Sequence, residues 1–234
     1  MHPKAREEVE RLIDKVREVG VRVNSVIVFG SAVRGNEFKP GVSDIDVIVI
    51  VERLNSSIKE ALKEVGNNLE LGIFTRGQFL DLWLSGDPLA HMIWLEGVAV
   101  LDDGFYSALK AREKPKLTEL TIMKLRFWGL RNLAEAMRPG VERVEGLRRL
   151  HHAVRDFARM RIVRDKRLFT LTDKEIMENL DSVFSRIYRD FLERLHYNVE
   201  NYEQLMFDAL QIMEQLDGKP LPRLDEILSL AKEV

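Results

Sequence analysis

The chain has 234 residues, with 36 Lys and Arg against 38 Asp and Glu, for a formal net charge of -2 with His neutral. At 45% hydrophobic and 32% charged it has a globular composition, long enough for one large domain or two small ones. The charge balance excludes a globally basic nucleic-acid binder, and the absence of Cys excludes disulfides, thiol nucleophiles and thiolate metal sites.

Residues 3–19 read as a helix, with Ala5, Val9, Leu12, Ile13, Val16 and Val19 at helical spacing and Gly20 as its stop. VRVNSVIVF (21–29) is β-branched and reads as a strand, and residues 30–43, rich in Gly, Ser, Asn and Pro, read as a connector. DIDVIVIV (44–51) is a second strand whose unbroken apolar end predicts burial on both faces. A short helix over 56–65, a third strand NLELGIFT (68–75), helical RGQFLDLWL and DPLAHMIWLEG, a strand at 98–101 and a helix opened by Asp103 follow. After Lys114-Pro115 no strand pattern remains. Helical patterns cover 117–138, 141–166, 172–195, 198–216 and 222–233. The expected fold class is α+β, with an α/β domain over 1–114 and a helical bundle over 115–234.

No apolar run approaches the ~18 residues of a membrane span, and MHPKAREEVERL lacks the apolar stretch of a secretory signal. With no Cys, the expected setting is a reducing cytoplasm, without a membrane partner.

The stretch that carries chemistry is VIVFGSAVRGNEFKPGVSDIDVIVIV (26–51). One strand ends in Gly30-Ser31, and the next opens with Ser43-Asp44-Ile45-Asp46. Alternation along a strand turns Asp44 and Asp46 to one face, about 6.6–7 Å apart, and turns Ile45 and Val47 to the other. Two carboxylates so spaced suit Mg²⁺, which takes one or two carboxylates plus substrate phosphates. Gly30 lets the backbone approach a phosphate, Ser31 adds a hydroxyl and an N–H, and Arg34 is a candidate for forked contacts to phosphate oxygens.

This pattern resembles the polymerase-β-like nucleotidyltransferase superfamily: Gly-Ser, a spacer, then Asp-hydrophobic-Asp between two strands. The run G-S-x-x-R-G…S-D-I-D looks most like the minimal and kanamycin-type nucleotidyltransferases of prokaryotes. The resemblance implies transfer of a nucleoside monophosphate from an NTP to a hydroxyl of a small molecule, protein or RNA, with pyrophosphate leaving. It implies two Mg²⁺ ions on Asp44 and Asp46, and a triphosphate held by Gly30 and Ser31, with Arg34 and Ser43 beside it. Glu70 stands where the family often has a third carboxylate, as a metal ligand or proton acceptor. A binding or antitoxin-like module on the same scaffold, acting on a HEPN-type partner, is the alternative. Arg189-Asp190…His196 loosely resembles the HEPN ribonuclease motif itself.

In the helical half, residues 143–167 carry +6 and residues 173–217 carry -7. Arg148, His152, Arg155 and Arg159 form one stripe at i, i+4, i+7 and i+11. It faces either phosphates or an RNA acceptor, or the acidic helices; near-cancellation of the two segments favours packing, so a nucleic-acid partner is not favoured. Glu135, Glu142, Glu145 and Asp156 are further candidates for a general base, and no local motif selects one.

Overall fold

The structure, a computed structural model, describes residues 1–18, 20, 22–34, 37–39, 43–54, 68–197 and 201–232. The helix expected over 56–65 lies outside them. The chain divides into two compact units, Met1–Lys116 and Leu117–Val234.

The first unit is built on a four-stranded mixed sheet. Its strands are β1 (Val23–Phe29), β2 (Ile45–Val51), β3 (Leu69–Thr75) and β4 (Val98–Asp102), in spatial order β3-β2-β1-β4. β1 is antiparallel to β2 and β4, and β2 is parallel to β3. Period-two alternation divides the core into two layers. On one face Val26, Val28, Ile45, Val47, Val49 and Val51 pack on helix α1 (Pro3–Glu18), which buries Ala5, Val9, Leu12, Ile13 and Val16. On the other, Ile27, Phe29, Ile48 and Ile50 pack under α2 (Arg76–Ser85) and α3 (Pro88–Glu96). β2 is therefore buried on both faces, as its unbroken apolar run requires.

The ends of α2 and α3 are set by local chemistry. Thr75 and Gln78 make a reciprocal capping box, and Gly86 closes α2 in the left-handed conformation. Asp87 caps α3 at Leu89 N–H, and Pro88 occupies the first turn, where its missing N–H is harmless. The Tyr106 hydroxyl, on α4 (Phe105–Arg112), donates to the Ile93 and Gly97 carbonyls (3.0 and 3.1 Å), and Lys110 Nζ donates to the Gly97 carbonyl (3.0 Å). These bonds tie down the C-terminal end of α3.

The second unit is helical. α5 (Glu119–Ala136) and α6 (Arg143–Lys166) form its centre, and α7 (Asp173–Asn179), α8 (Ser182–Tyr197), α9 (Tyr202–Asp217) and α10 (Leu224–Ser229) complete it. Gly129 lets α5 approach α6 closely, since a Cβ there would strike the Phe157 ring. The single helix expected over 172–195 is two. Leu180 is extended, and the Asp181 carboxylate accepts the N–H groups of Val183 and Phe184 (3.1 and 3.0 Å), starting α8 afresh. Among the described residues, no helix is long and apolar enough to cross a membrane.

Candidate active site

Leaving β1, the chain turns at Gly30 with φ 72° and winds one tight turn over Gly30–Ala32. Val33 N–H closes on the Gly30 carbonyl (3.2 Å), Arg34 N–H on the Ser31 carbonyl (3.1 Å), and His2 N–H braces the Ala32 carbonyl (2.9 Å). A Cβ built on Gly30 would collide with the carboxylate of Asp46. Two independent facts thus require glycine here: the left-handed backbone and the acid that fills the side-chain position.

Asp44 stands one residue ahead of β2 and Asp46 is its second residue, both half-buried. Ile45 and Val47, on the opposite face, are buried against α1. In the sheet, Asp46 is level with Phe29 on β1 and with Glu70 on β3. Strand spacing sets Asp46 and Glu70 about 4.8 Å apart at the backbone. Glu70 is exposed, while Leu69 and Leu71 pack on the α1 side, so alternation leaves Glu70 on the face of Asp46. The Gly30 turn, Asp46 and Glu70 therefore share one end of the sheet.

Two of the other expected phosphate contacts, Ser43 and Arg34, have partners within the protein. Ser43 closes its own loop: its N–H donates to the Lys39 carbonyl (2.8 Å), and its hydroxyl accepts the Lys39 N–H (3.0 Å). Ser31 is half-buried within the turn. The Arg34 guanidinium lies between two acids, with Nε donating to Glu37 (2.7 Å) and Nη1 to Glu96. Burial opposes its charge, but the bonds to Glu37 and Glu96 outweigh that and hold its pKa above the ordinary value.

Glu96 is the residue that sequence reasoning passes over. It ends α3, and its Oε1 accepts the Gly30 N–H (3.0 Å) while Oε2 accepts from Arg34. An acid at the C-terminal end of a helix opposes the helix dipole. That mismatch in LEG was the one local signal that this Glu has a compensating partner elsewhere.

Among the described residues, no group of three or more His, Cys, Asp or Glu is set to hold a metal alone. Asp44 and Asp46 supply hard carboxylate oxygens as a pair. That donor set fits Mg²⁺, which completes its shell from water and substrate phosphates.

In the helical unit the basic stripe divides: Arg148 is exposed and pairs with Glu145 on its own helix (2.8 Å), while Arg159 turns inward. Arg159, 4% exposed, donates to Asp156 (3.3 Å) and to the Leu171 carbonyl. Asp173 accepts from the Tyr188 hydroxyl (2.6 Å) and contacts His151 Nε2 (3.1 Å). Burial, with the positive charge of Arg155, keeps His152 neutral far below its usual pKa. Arg126 pairs with Asp217 (2.8 Å) and Arg194 with Asp208 (2.6 Å). Between the basic and acidic segments the charged contacts include His151 with Asp173 (3.1 Å) and Arg164 with Asp217 (3.8 Å); the Arg159 and Arg194 pairs each lie within one segment, and Arg126 lies in neither. Asp156 is buried against Asn132 and Arg159, and Glu145 is held by Arg148 and Arg149.

Residues 9–73 match the family model of the nucleotidyltransferase domain, a span that holds Gly30, Asp44, Asp46 and Glu70. Over that span the first unit is similar to a nucleotidyltransferase domain. Its fold is polymerase-β-like, and a helical unit follows. The chain is similar in fold to spectinomycin adenyltransferase AAD(9) from Enterococcus faecialis, solved with ATP and spectinomycin. That likeness has a TM-score of 0.58 at 13% identity, over 93% of this chain and 100% of that one. A nucleotidyltransferase-like protein from Exiguobacterium sibiricum 255-15 aligns with a TM-score of 0.37 at 18% identity, over 83% of this chain and 68% of that one. No curated protein sequence matches the chain.

Proposed function

We propose that the chain is a Mg²⁺-dependent nucleotidyltransferase that moves a nucleoside monophosphate from an NTP to a hydroxyl acceptor. The observation that carries this reading is the left-handed Gly30 turn lying directly against the Asp46 carboxylate, with Glu70 level with Asp46 on the next strand. A phosphate-binding turn and a pair of metal-binding acids on adjoining strand ends are what such transfer requires.

Asp44 and Asp46 hold the metal, which when bound neutralises phosphate charge and favours departure of pyrophosphate. The turn that opens at Gly30 receives the triphosphate through the Ser31 N–H and hydroxyl, the Gly30 N–H being held by Glu96. The acceptor oxygen forms a bond to the α-phosphorus as the α–β bridging bond breaks, and pyrophosphate leaves with the electron pair. Glu70, exposed beside Asp46, takes the hydroxyl proton.

The test is calorimetric titration of ATP, GTP, CTP and UTP with Mg²⁺, followed by pyrophosphate release in the presence of hydroxyl acceptors. Because the AAD(9) structure holds ATP and spectinomycin, that pair enters the first panel. At least one NTP should bind, and Asp44→Asn and Asp46→Asn should each abolish turnover while the melting temperature holds. Failure of all four nucleotides to bind, or wild-type turnover in both variants, overturns the reading.

A further inference from the structure

We propose that Glu96 and Arg34 form an internal clamp that positions the Gly30–Ala32 turn, and that Arg34 acts on the nucleotide through that turn and not as a phosphate ligand. The inference rests on the nucleotidyltransferase reading of the site and assigns a role within it.

Three observations carry it. First, one Glu96 carboxylate joins the two groups that flank the turn, with one oxygen on Gly30 N–H and the other on Arg34. Secondly, Glu96 is held in place. Its side chain is 11% exposed, and α3 is pinned at one end by Asp87 and at the other by Tyr106 and Lys110. Were the carboxylate to swing away, it would stand at a helix C-terminus without its partners, a costly place for a buried charge. Thirdly, the Arg34 guanidinium already faces two carboxylates, Glu37 and Glu96. Its charge is more than matched inside the protein, which leaves little attraction for a phosphate.

The opposite assignment makes Glu96 an anion that competes with phosphate for Arg34 and Gly30. The two assignments differ in sign. If Glu96 competes, removing its charge frees Arg34 and tightens nucleotide binding. If Glu96 clamps, removing its charge loosens the turn and weakens binding.

The experiment has two arms. In the first, hydrogen exchange of the amides of residues 30–34 is followed in the nucleotide-free protein, for wild type, Glu96→Gln, Glu96→Ala and Arg34→Ala. The clamp predicts exchange roughly tenfold faster in Glu96→Ala, with Glu96→Gln intermediate because its amide oxygen can still accept from Gly30. In the second, the tightest-binding NTP is titrated with Mg²⁺ into the same variants and into Arg34→Ala/Glu96→Ala. Kd should rise roughly tenfold in Glu96→Ala and in Arg34→Ala, and the double variant should match the singles, because both remove one device. Tighter binding by Glu96→Gln, multiplying effects in the double variant, or unchanged exchange overturns the clamp. Should Glu96→Ala fail to fold, Glu96→Gln carries both arms. If wild type binds no NTP, the proposed function falls, while the exchange arm still decides the clamp.

Discussion

Gly30→Ala separates backbone strain from the encounter with Asp46. Gly30 has φ 72°, a conformation that disfavours alanine by about 1–2 kcal/mol. The new methyl would also meet the Asp46 carboxylate, and forcing an extra methyl into a filled position costs about 1–3 kcal/mol more. Gly20 is a matched control in the same unit. Its φ is 68°, and nothing lies within 4 Å of a Cβ built there. Gly20→Ala should therefore lose only the strain, about 2–4 °C in Tm for each kcal/mol in a chain of this size. Gly30→Ala should fall further, and its NTP affinity should collapse because Asp46 is displaced. In an Asp46→Ala background, the gap between the two glycine variants should close, since the colliding group is gone. Thermal melts of the four single and double variants, with calorimetric titration of NTP, read all of this. The reasoning is refuted if Gly30→Ala melts with Gly20→Ala and binds nucleotide like wild type.

Burial pushes His91 down to about 4, so as pH falls below the ordinary 6.5 the unfolded chain takes up the proton first. Stability from this group is thus full above pH 6.5 and lost as pH falls toward 4, by roughly 3 kcal/mol in all, and His91→Gln should flatten the decline seen in melts across that window. Arg159→Met leaves the Asp156 carboxylate buried beside Asn132 without its counter-charge, and should cost about 3–5 kcal/mol by urea denaturation. Asp156→Leu/Arg159→Met should recover most of that loss; equal loss in both variants would show that packing, not charge, holds the site.

Much of the N-terminal site is legible because its chemistry is local. Ile45–Val51 is an unbroken apolar run but for Asp46, so strand period alone places Ile45 and Val47 on one face and Asp46 on the other, and the structure packs Ile45 and Val47 against α1. Gly30-Ser31 marks the turn because few residues accept that backbone. The level pairing of Asp46 with Glu70 is different: it depends on parallel register between β2 and β3, which no local pattern fixes. Glu96 is illegible for a stronger reason. It lies 66 residues from Gly30, and the bond between them exists only once α3 has docked on the sheet. In the helical unit, charge sums foretell that the segments attract, but not the pairs. The break at Leu180-Asp181 hides because both flanking runs share a helical period, and only the Asp181 cap distinguishes them.

The same geometry raises an electrostatic problem whose solution is testable. The groups linked through Gly30, Arg34 and the β2–β3 ladder are the carboxylates of Glu37, Asp44, Asp46, Glu70 and Glu96 and the guanidinium of Arg34. Like charges at about 4 Å repel by about 4 kcal/mol even at an effective dielectric constant of 20. A triphosphate brings several negative charges to this acidic end of the sheet, so binding without a cation should fail. NTP affinity measured in EDTA should therefore be undetectable and should return on adding Mg²⁺. Asp46→Asn sharpens the argument, because it removes one repelling charge and one metal donor together. It should weaken binding in Mg²⁺ yet strengthen the residual binding in EDTA, bringing the two affinities together. A wild-type protein that binds NTP equally with and without the metal would remove the acids from the site. So would an Asp46→Asn variant that leaves the difference between Mg²⁺ and EDTA intact. The outcome is read from binding and needs no acceptor, so it can be measured before any substrate hydroxyl is known.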